Sequence, residues 1–283
     1  MKYAITAATG NFGQTAVKEL LKLVDAKDVV VVARNLEKAQ ELFPEVEIRQ
    51  GSYDSVESMT NALAGVDRVL FISSQPGGEV SRDVQHLNVV EALKNNGVEF
   101  VAYTSFPHAQ TATSALAQDH KLTEDAIVKA GLKHSFLRNN WYLENEIGFL
   151  QSGANNQTAA YWANHQAGWA LEREYAEGAV KVLVATDPAD IYEFAGPATT
   201  YAQLGEALKV ATGNDFAVAH VTQNEYIAAL EGTGLDHGTA AMFASFQAPI
   251  EDGSLAEDTN DLPTVLGHDL LPLSEAIKEI LAR

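Results

Sequence analysis

The chain has 283 residues and a formal net charge of −19 at pH 7, with 38 acidic residues against 19 lysines and arginines. A surface this acidic repels nucleic-acid backbones and anionic membranes, so neither is expected as a partner. Cysteine is absent, which excludes disulfides and thiolate chemistry and is typical of a cytoplasmic protein. The eight histidines show no metal-ligand spacing, and no apolar run approaches the ~20 residues that span a bilayer, so we expect neither a metal site nor a membrane span.

The opening segment of the chain carries its most informative pattern. Residues 3–7 predict a short buried strand, residues 9–13 a tight glycine turn, and the apolar spacing over 17–24 an amphipathic helix. This order forms the cradle in which a dinucleotide pyrophosphate meets free N–H groups at a helix N-terminus, and Gly10 lets the phosphates approach the backbone. Ala7 replaces the first glycine of the usual fingerprint, and we expect it to keep a negative φ angle. An ordinary glycine turn is the alternative.

Short β-rich runs then alternate with helical patterns. This alternation predicts an α/β fold with a doubly wound parallel sheet of the Rossmann type. The predicted strands cover residues 29–33, 47–50, 69–72, 100–104 and 134–138, and the predicted helices cover 36–43, 55–63, 83–95 and 117–130. The apolar spacing from Val84 to Leu93 supports the third helix, and Gly97 and Gly131 are expected at helix ends.

The pattern loosens after Trp141, which predicts a second, smaller part of the molecule. We expect residues 1-150 to form the dinucleotide-binding Rossmann domain, completed by a returning helix and strand near 171-196. Residues 151-170 together with 197-283 are expected to form a smaller, mostly helical lobe that binds the substrate and closes over the cofactor.

Arg34 stands at the end of the second predicted strand, where dinucleotide folds meet the adenosine ribose. An acidic residue there would bind the 2′-hydroxyl of NAD(H), whereas an arginine presents a charged fork to a 2′-phosphate. The sequence therefore predicts NADP(H) in preference to NAD(H), with Lys38 adding charge one helical turn further on. A solvated arginine at the start of a surface helix is the alternative.

The ends of the fourth and fifth predicted strands supply small polar side chains to the same edge of the sheet. Ser73, Ser74 and Gln75 follow one strand, and Tyr103 and Thr104 close the other. Residues of this kind suit contact with the ribose and nicotinamide of a cofactor. Simple capping of the strand ends is the alternative for any one of them.

The run LRNNWYLEN at residues 137–145 follows the sixth predicted strand. Its amides, indole and phenol can bracket a flat ring by stacking and hydrogen bonding. Anchoring of the smaller lobe by the tryptophan and the tyrosine is the alternative. On the preceding helix, His120 and Glu124 lie four residues apart and form either a surface pair or a proton donor with the carboxylate that orients it.

Together these segments resemble the NmrA-like branch of the atypical short-chain dehydrogenases/reductases, above all its type 2 NAD(P)H:quinone oxidoreductases, and the triphenylmethane-dye reductases are similar. The resemblance implies NADPH on a Rossmann domain and direct hydride transfer to a quinone, without flavin or metal. The residues expected to bind the cofactor, from the resemblance and from the strand ends, are Ala7, Thr9, Gly10, Asn11, Phe12, Gly13, Arg34, Ser73, Ser74, Gln75, Tyr103, Thr104, Asn139, Asn140, Trp141, Tyr142, Leu143, Glu144 and Asn145.

The Tyr-x-x-x-Lys pair of ordinary short-chain dehydrogenases is absent from the sequence, and His120 falls near the place of that lysine. Quinone reduction needs little acid–base help, because a quinone is already an electrophile and positioning of two rings supplies most of the acceleration. We therefore predict an NADPH-dependent reductase of quinones or similar flat, conjugated acceptors. Asn139, Trp141 and Tyr142 are expected to orient the acceptor, and His120 or water to supply the proton.

Two other functions remain open from the sequence. A non-catalytic regulator that senses NADP(H) would also lack Tyr-x-x-x-Lys, and a dye or imine reductase would use the same site. The sequence is compatible with a monomer or a homodimer, and it leaves the physiological acceptor open.

Overall fold

A computed structural model of the protein describes residues 1–75 and 77–283. The strands are β1 (Tyr3–Ile5), β2 (Val29–Ala33), β3 (Glu47–Gln50), β4 (Arg68–Phe71), β5 (Phe100–Ser105), β6 (His134–Asn139), β7 (Ala159–Tyr161), β8 (Gln166–Ala167), β9 (Ile191–Phe194), β10 (Thr199–Thr200) and β11 (Val218–His220). Within these residues seven strands form one parallel sheet in the order β3-β2-β1-β4-β5-β6-β9. The predicted α/β fold with a doubly wound parallel sheet is therefore confirmed.

The helices of the described residues either cover the two faces of this sheet or lie in the C-terminal part of the chain. They are α1 (Asn11–Leu20), α2 (Leu36–Leu42), α3 (Val56–Ala62), α4 (Arg82–Asn95), α5 (Ala115–Lys129), α6 (Ile147–Ala154), α7 (Glu172–Val184), α8 (Tyr201–Thr212), α9 (Gln223–Gly232), α10 (His237–Ser245), α11 (Ala248–Glu251), α12 (Asp261–Leu266) and α13 (Leu273–Leu281). Because successive strand residues point to opposite faces, Ile5 joins an apolar layer with α1 and α7, whereas Ala4 joins the layer of α3, α4 and α5. None of the helices in the described ranges has the length and apolar character that a membrane crossing requires.

The helix that the spacing from Val84 to Leu93 predicts is present as α4, but its apolar residues do not share one buried face. Val84 and Leu87 are exposed by 43% and 40%, whereas Leu93 is fully buried. In the first half of α4 the inward position belongs to His86, which hydrogen bonds hold in the interior. The predicted helix ends are confirmed at Gly97 and Gly131, which follow α4 and α5 with φ angles of +61° and +72°.

A third apolar cluster lies in the C-terminal part of the chain. It is built around Tyr201 and Leu204 of α8, with α6 and α13 packed against that helix. The predicted return to the sheet involves α7, which packs on α1, and β9, which pairs in parallel with β6. The proposed division at residues 150, 171 and 197 stays a prediction.

Ala7 adopts a φ angle of +49°, so the expectation of a negative angle is wrong. The chain reverses directly after β1, and the Ala7 carbonyl accepts a hydrogen bond from the Gly10 N–H at 3.1 Å. The start of α1 also lies very close to this turn, since a Cβ atom at Gly13 would be 2.6 Å from the Ala7 carbonyl oxygen. The tight turn therefore requires the left-handed conformation that glycine usually supplies.

Ala7→Gly is expected to raise the free energy of unfolding by about 0.5–1 kcal/mol. Glycine removes the roughly 1–2 kcal/mol of left-handed strain, and its greater freedom in the unfolded chain offsets part of that gain. Urea unfolding measures the difference. Ala8→Gly is the matched control, because Ala8 is buried and has no positive φ to relieve, and it should lose stability. A loss with Ala7→Gly would contradict the strain argument.

Candidate functional site

The N-terminus of α1 forms one side of the site. Gly10 is its N-cap residue, in an extended conformation, and no side chain caps the helix. The N–H groups of the first turn have no intrahelical acceptor and carry the positive end of the helix dipole. A Cβ atom at Gly10 would meet only the Ala7 carbonyl, at 3.5 Å, so the backbone is open to a close approach. This arrangement fits a pyrophosphate.

The expected ligand crevice lies at the carboxyl ends of the strands, where the strand order reverses. β1 stands between β2 and β4, so the connections that leave these strands diverge to opposite faces of the sheet. In open parallel sheets ligands bind outside the carboxyl ends of the strands at such a point. Arg34 follows β2 at this edge, and its side chain is exposed, as is that of Lys38 on α2. Both charges can therefore reach a ligand phosphate.

Hydrogen bonds fix the loop that follows β4. The Ser73 N–H donates to the Thr104 hydroxyl at 2.8 Å, and the Ser74 N–H donates to Nε2 of His86 at 3.0 Å. Arg82 donates from Nε to the Ser74 carbonyl at 2.6 Å. The two serines are partly exposed along the crevice, and the next residue, Gln75, is exposed. Thr104 therefore holds the loop, while a contact of the two serines with a cofactor stays a prediction.

Tyr103 lies in the protein core instead of the crevice. Its ring is fully buried against Phe71, with ring centroids 4.9 Å apart, and its hydroxyl meets Nδ1 of His120 at 2.9 Å. Nε2 of His120 lies 2.9 Å from Nη2 of Arg82. Arginine only donates, so Nε2 must accept and Nδ1 must carry the ring proton. The expected contact between the Tyr103 side chain and the cofactor does not fit this position.

His120 is buried as a neutral imidazole. Burial, and then the nearby charge of Arg82, lower its pKa well below the usual 6.5, so it is unprotonated at neutral pH. Both ring nitrogens are engaged by other side chains, which leaves no proton to give to a substrate. Glu124 does not orient it, because that carboxylate binds Arg138. The geometry therefore favours a positioning role over the expected proton donor.

A buried ion pair joins α5 to the sheet at Arg138, near the start of the run 137–145, which begins within β6. Arg138 donates from Nη2 and Nε to Glu124 at 2.8 and 3.0 Å, and from Nη1 to Glu193 at 2.8 Å. The side chains of Arg138 and Glu124 are only 9% and 1% exposed. Burial opposes the arginine charge, but the hydrogen bonds that Arg138 donates to both carboxylates more than offset burial and raise its pKa. Sequence reasoning assigned no role to Arg138.

His108 extends this network to the C-terminal segment. Its Nε2 contacts Glu257, its Nδ1 lies 3.6 Å from Glu193, and potential ligand atoms of all three residues lie within 4.8 Å of one another. One histidine and two carboxylates are residue types that bind metals, but Arg138 already neutralises Glu193. We interpret the group as a set of polar contacts around the ion pair of Arg138 and Glu193. Its members come from three distant segments, so no spacing along the chain signals it.

The run 137–145, which begins within β6, meets the glycine turn through two aromatic rings. Tyr142 stacks on Phe12 with ring centroids 6.1 Å apart, and it also packs against Tyr175. Asn139 donates from Nδ2 to the Tyr142 hydroxyl at 3.0 Å. Its Oδ1 atom is buried and finds no hydrogen-bond partner among the described residues. An orphaned acceptor at this place fits a donor from the nicotinamide end of a cofactor.

Asn140 serves the fold. Its Oδ1 accepts hydrogen bonds from the N–H groups of Trp141 and Gly168, at 2.8 and 3.0 Å, and its Nδ2 donates to the Leu255 carbonyl at 3.1 Å. It thereby ties the end of β6 to two segments of the C-terminal part. Trp141 is half-buried and packs partly against the apolar cluster around α8, so the anchoring alternative applies to it as well.

The end of the run also has structural contacts. Leu143 is fully buried, and Glu144 accepts hydrogen bonds from the Glu172 N–H at 2.8 Å and from Arg283 at 3.1 Å. Burial and the neighbouring Glu144 raise the pKa of Glu172 to about 7. Asn145 is exposed at the surface. A direct cofactor contact of these residues stays a prediction.

Comparisons with known proteins show the family to which the chain belongs. A family model described as NAD(P)H-binding matches residues 7–161. Quinone oxidoreductase 2 of Escherichia coli is 34% identical over 281 residues, which are 98% of each chain.

Two solved structures are similar over the whole chain. The crystal structure of the NADPH-dependent quinone oxidoreductase QOR2 of Escherichia coli complexed with NADPH is 33% identical, covers 99% of each chain and has a TM-score of 0.91. The Citrobacter sp. triphenylmethane reductase complexed with NADP(H) is 29% identical, with coverage of 99% of this chain and 100% of that one and a TM-score of 0.91. The chain therefore belongs to the NAD(P)H-binding family of Rossmann-fold proteins, in the NmrA-like branch that its motifs predict.

Proposed function

We propose that this protein is an NADPH-dependent reductase that transfers a hydride directly to a quinone or a similar flat, conjugated acceptor. The observation that carries the proposal is the 34% identity to a quinone oxidoreductase over 98% of both chains. The family's solved NADPH complex supports the choice of cofactor. Reductases among the similar proteins favour an enzyme over a regulator that only senses NADP(H).

Each part of the crevice takes one part of the cofactor. The open turn at Gly10 and the N-terminus of α1 bind the pyrophosphate. Arg34 binds the 2′-phosphate at the end of β2, with Lys38 beside it. Oδ1 of Asn139 accepts a hydrogen bond at the nicotinamide end. When bound, NADPH supplies the hydride, and the chain supplies position and electrostatics.

The acceptor lies against aromatic side chains of the run after β6. Trp141 and Tyr142 present ring faces on which a flat acceptor stacks, and Asn139 fixes the Tyr142 hydroxyl. Water protonates the reduced product, whose phenolates are weak bases. His120 acts at a distance, by holding Tyr103 and Arg82. The proposed reaction uses neither flavin nor metal.

A triphenylmethane dye is a second class of acceptor for the same site. The observation that favours it is the TM-score of 0.91 to a triphenylmethane reductase over the full chain. Dye and quinone are both conjugated electrophiles, so one hydride donor can serve both.

The proposal is tested by NADPH oxidation, followed through nicotinamide absorbance, with flavin-free protein and 1,4-benzoquinone as acceptor. We expect oxidation that depends on both the protein and the quinone, and a triphenylmethane dye is assayed in parallel. Tight NADPH binding without turnover on any quinone or dye would overturn the reductase assignment and favour the regulator.

Arg34→Ala is expected to raise the NADPH dissociation constant about ten- to a hundredfold and to leave that of NADH nearly unchanged. A hydrogen bond between two charged groups contributes roughly 1.5–3 kcal/mol, and only NADPH carries the 2′-phosphate. Isothermal titration calorimetry with both nucleotides measures the change. Arg49→Ala is the matched control, because Arg49 on β3 pairs with Glu47. Equal weakening of both nucleotides would contradict the assigned role.

A further inference from the structure

Glu146 is a buried carboxylate that sits behind Trp141. It follows the run after β6 and is 6% exposed. Its Oε1 accepts hydrogen bonds from the indole N–H groups of Trp141 and Trp169, at 3.1 and 3.3 Å, and its Oε2 accepts one from the Tyr201 hydroxyl at 2.8 Å. Three donors, two of them from distant segments, thus converge on one side chain.

The donors Trp141, Trp169 and Tyr201 form a cage around the Glu146 carboxyl group. The ionised form of Glu146 is the one that suits this cage. A carboxylate accepts at both oxygens, and hydrogen bonds to a charged acceptor are about twice as strong as neutral ones. The protonated form carries a donor on one oxygen, so it must donate to the Tyr201 hydroxyl instead of accepting from it, and its other oxygen is a neutral and weaker acceptor for the indoles. Each indole N–H can bond only to an acceptor, because indole donates and does not accept.

The charge of Glu146 is held by hydrogen bonds. Burial raises its pKa to about 7, and the bonds from Tyr201, Trp169 and Trp141 limit the rise. The titratable side chains that face it are the phenols of Tyr201 on α8 and Tyr226 on α9. The carboxyl therefore changes charge near neutral pH.

We propose that Glu146 is a positioning residue, which in its ionised form fixes the indole of Trp141 at the acceptor end of the site. The proposal rests on the proposed function in one respect, that Trp141 contacts the acceptor. Loss of the proton tightens the cage and holds the ring in one orientation. Gain of the proton loosens the indole and weakens stacking of a flat acceptor, while the cofactor end of the crevice is unaffected.

Glu146→Gln is the main test, because it keeps the shape of the side chain but cannot titrate. In the wild type we expect tryptophan fluorescence to follow a titration near pH 7. This titration should vanish in the variant. Trp162→Phe should retain it, since the Trp162 indole donates to the Ala244 carbonyl at 2.8 Å, away from the cage.

The kinetic readout, with benzoquinone as the acceptor, separates the acceptor end of the site from the cofactor end. For the wild type we expect the quinone KM to rise about fivefold as the pH falls through 7, which is the difference between a charged and a neutral hydrogen bond. In Glu146→Gln the quinone KM should stay at the high value at every pH, with the NADPH dissociation constant unchanged. If Glu146→Gln folds poorly, Trp141→Phe serves as the test in its place. It keeps an aromatic ring but removes the N–H, so it should raise the quinone KM in the same way. Glu275→Gln, at an exposed position on α13, controls for the change in net charge.

The outcomes distinguish this inference from the proposed function. A fluorescence titration that persists in Glu146→Gln, or a quinone KM that does not differ from the wild type, would overturn the positioning role. Absence of turnover in the wild type would overturn the proposed function instead. In that case quinone affinity is measured from quenching of tryptophan fluorescence, and the same fivefold difference between wild type and Glu146→Gln is expected.

Discussion

Arg138→Met is expected to lower the free energy of unfolding by about 3–5 kcal/mol, the usual effect of breaking a buried ion pair by removing one partner. The large effect comes from what remains, since Glu124 is 1% exposed and would lose the guanidinium that neutralises it. The substitution keeps most of the side-chain volume, so the loss reports charge more than packing. Urea unfolding at neutral pH measures it.

Two further variants test the origin of this loss. Arg68→Met is the matched control, because Arg68 is also a buried arginine, but its guanidinium donates to the Ala185 carbonyl and lies over the Phe100 ring. It should lose less stability. The double variant Arg138→Met with Glu124→Gln should recover at least about 1 kcal/mol relative to Arg138→Met alone, because the uncompensated charge is gone. Additive losses in the double variant would show that the two side chains contribute independently.

The fold could be predicted because its signals are local. A strand such as β2, Val29–Ala33, is a continuous run of buried apolar residues, and Gly97 marks a helix end through its own backbone preference. The conformation of Ala7 could not be predicted in this way. Its positive φ is imposed by the approach of α1 to the turn, which is a tertiary constraint that overrides the residue's own preference.

The candidate site was predictable only in part, for a related reason. Glycine turns and strand ends identify the crevice, because they lie at fixed places in a parallel sheet. Direction of a side chain at a strand end is less certain, since successive residues face opposite sides: Thr104 reaches the loop after β4, but Tyr103 points into the core. The partner Arg138 of Glu124 and the partners Trp169 and Tyr201 of Glu146 come from other segments, and only the folded chain brings them together.

Acidification is expected to weaken the fold through two buried histidines. Burial, and then the charge of Arg82, lower the pKa of His86 to about 3 and that of His120 well below 6.5. The unfolded chain therefore binds more protons than the folded one below pH 6.5, and stability falls as the pH falls. At pH 5 each histidine should lower the free energy of unfolding by about 2 kcal/mol relative to neutral pH. The unfolded side chain is then about 1.5 pH units below its pKa and is therefore protonated.

Two carboxyl groups act in the opposite direction over the same range. The pKa values of Glu146 and Glu172 are raised to about 7 from 4.5, so in that window the folded chain holds the extra protons and gains stability as the pH falls. The stability of the wild type is therefore expected to change little between pH 7 and 5. The contribution of the histidines appears only when they are removed.

The double variant His86→Gln with His120→Gln isolates that contribution. Glutamine supplies one acceptor and one donor, as each neutral imidazole does, but it does not titrate. We expect the variant to gain about 4 kcal/mol relative to the wild type between pH 7.5 and pH 5, two histidines at about 2 kcal/mol each, whatever its stability at neutral pH. His237→Gln, at an exposed position, controls for the substitution itself. A variant whose stability runs parallel to that of the wild type over this range would mean that the buried histidines titrate in the folded protein as they do in the unfolded chain, and His120 could then take up and donate a proton.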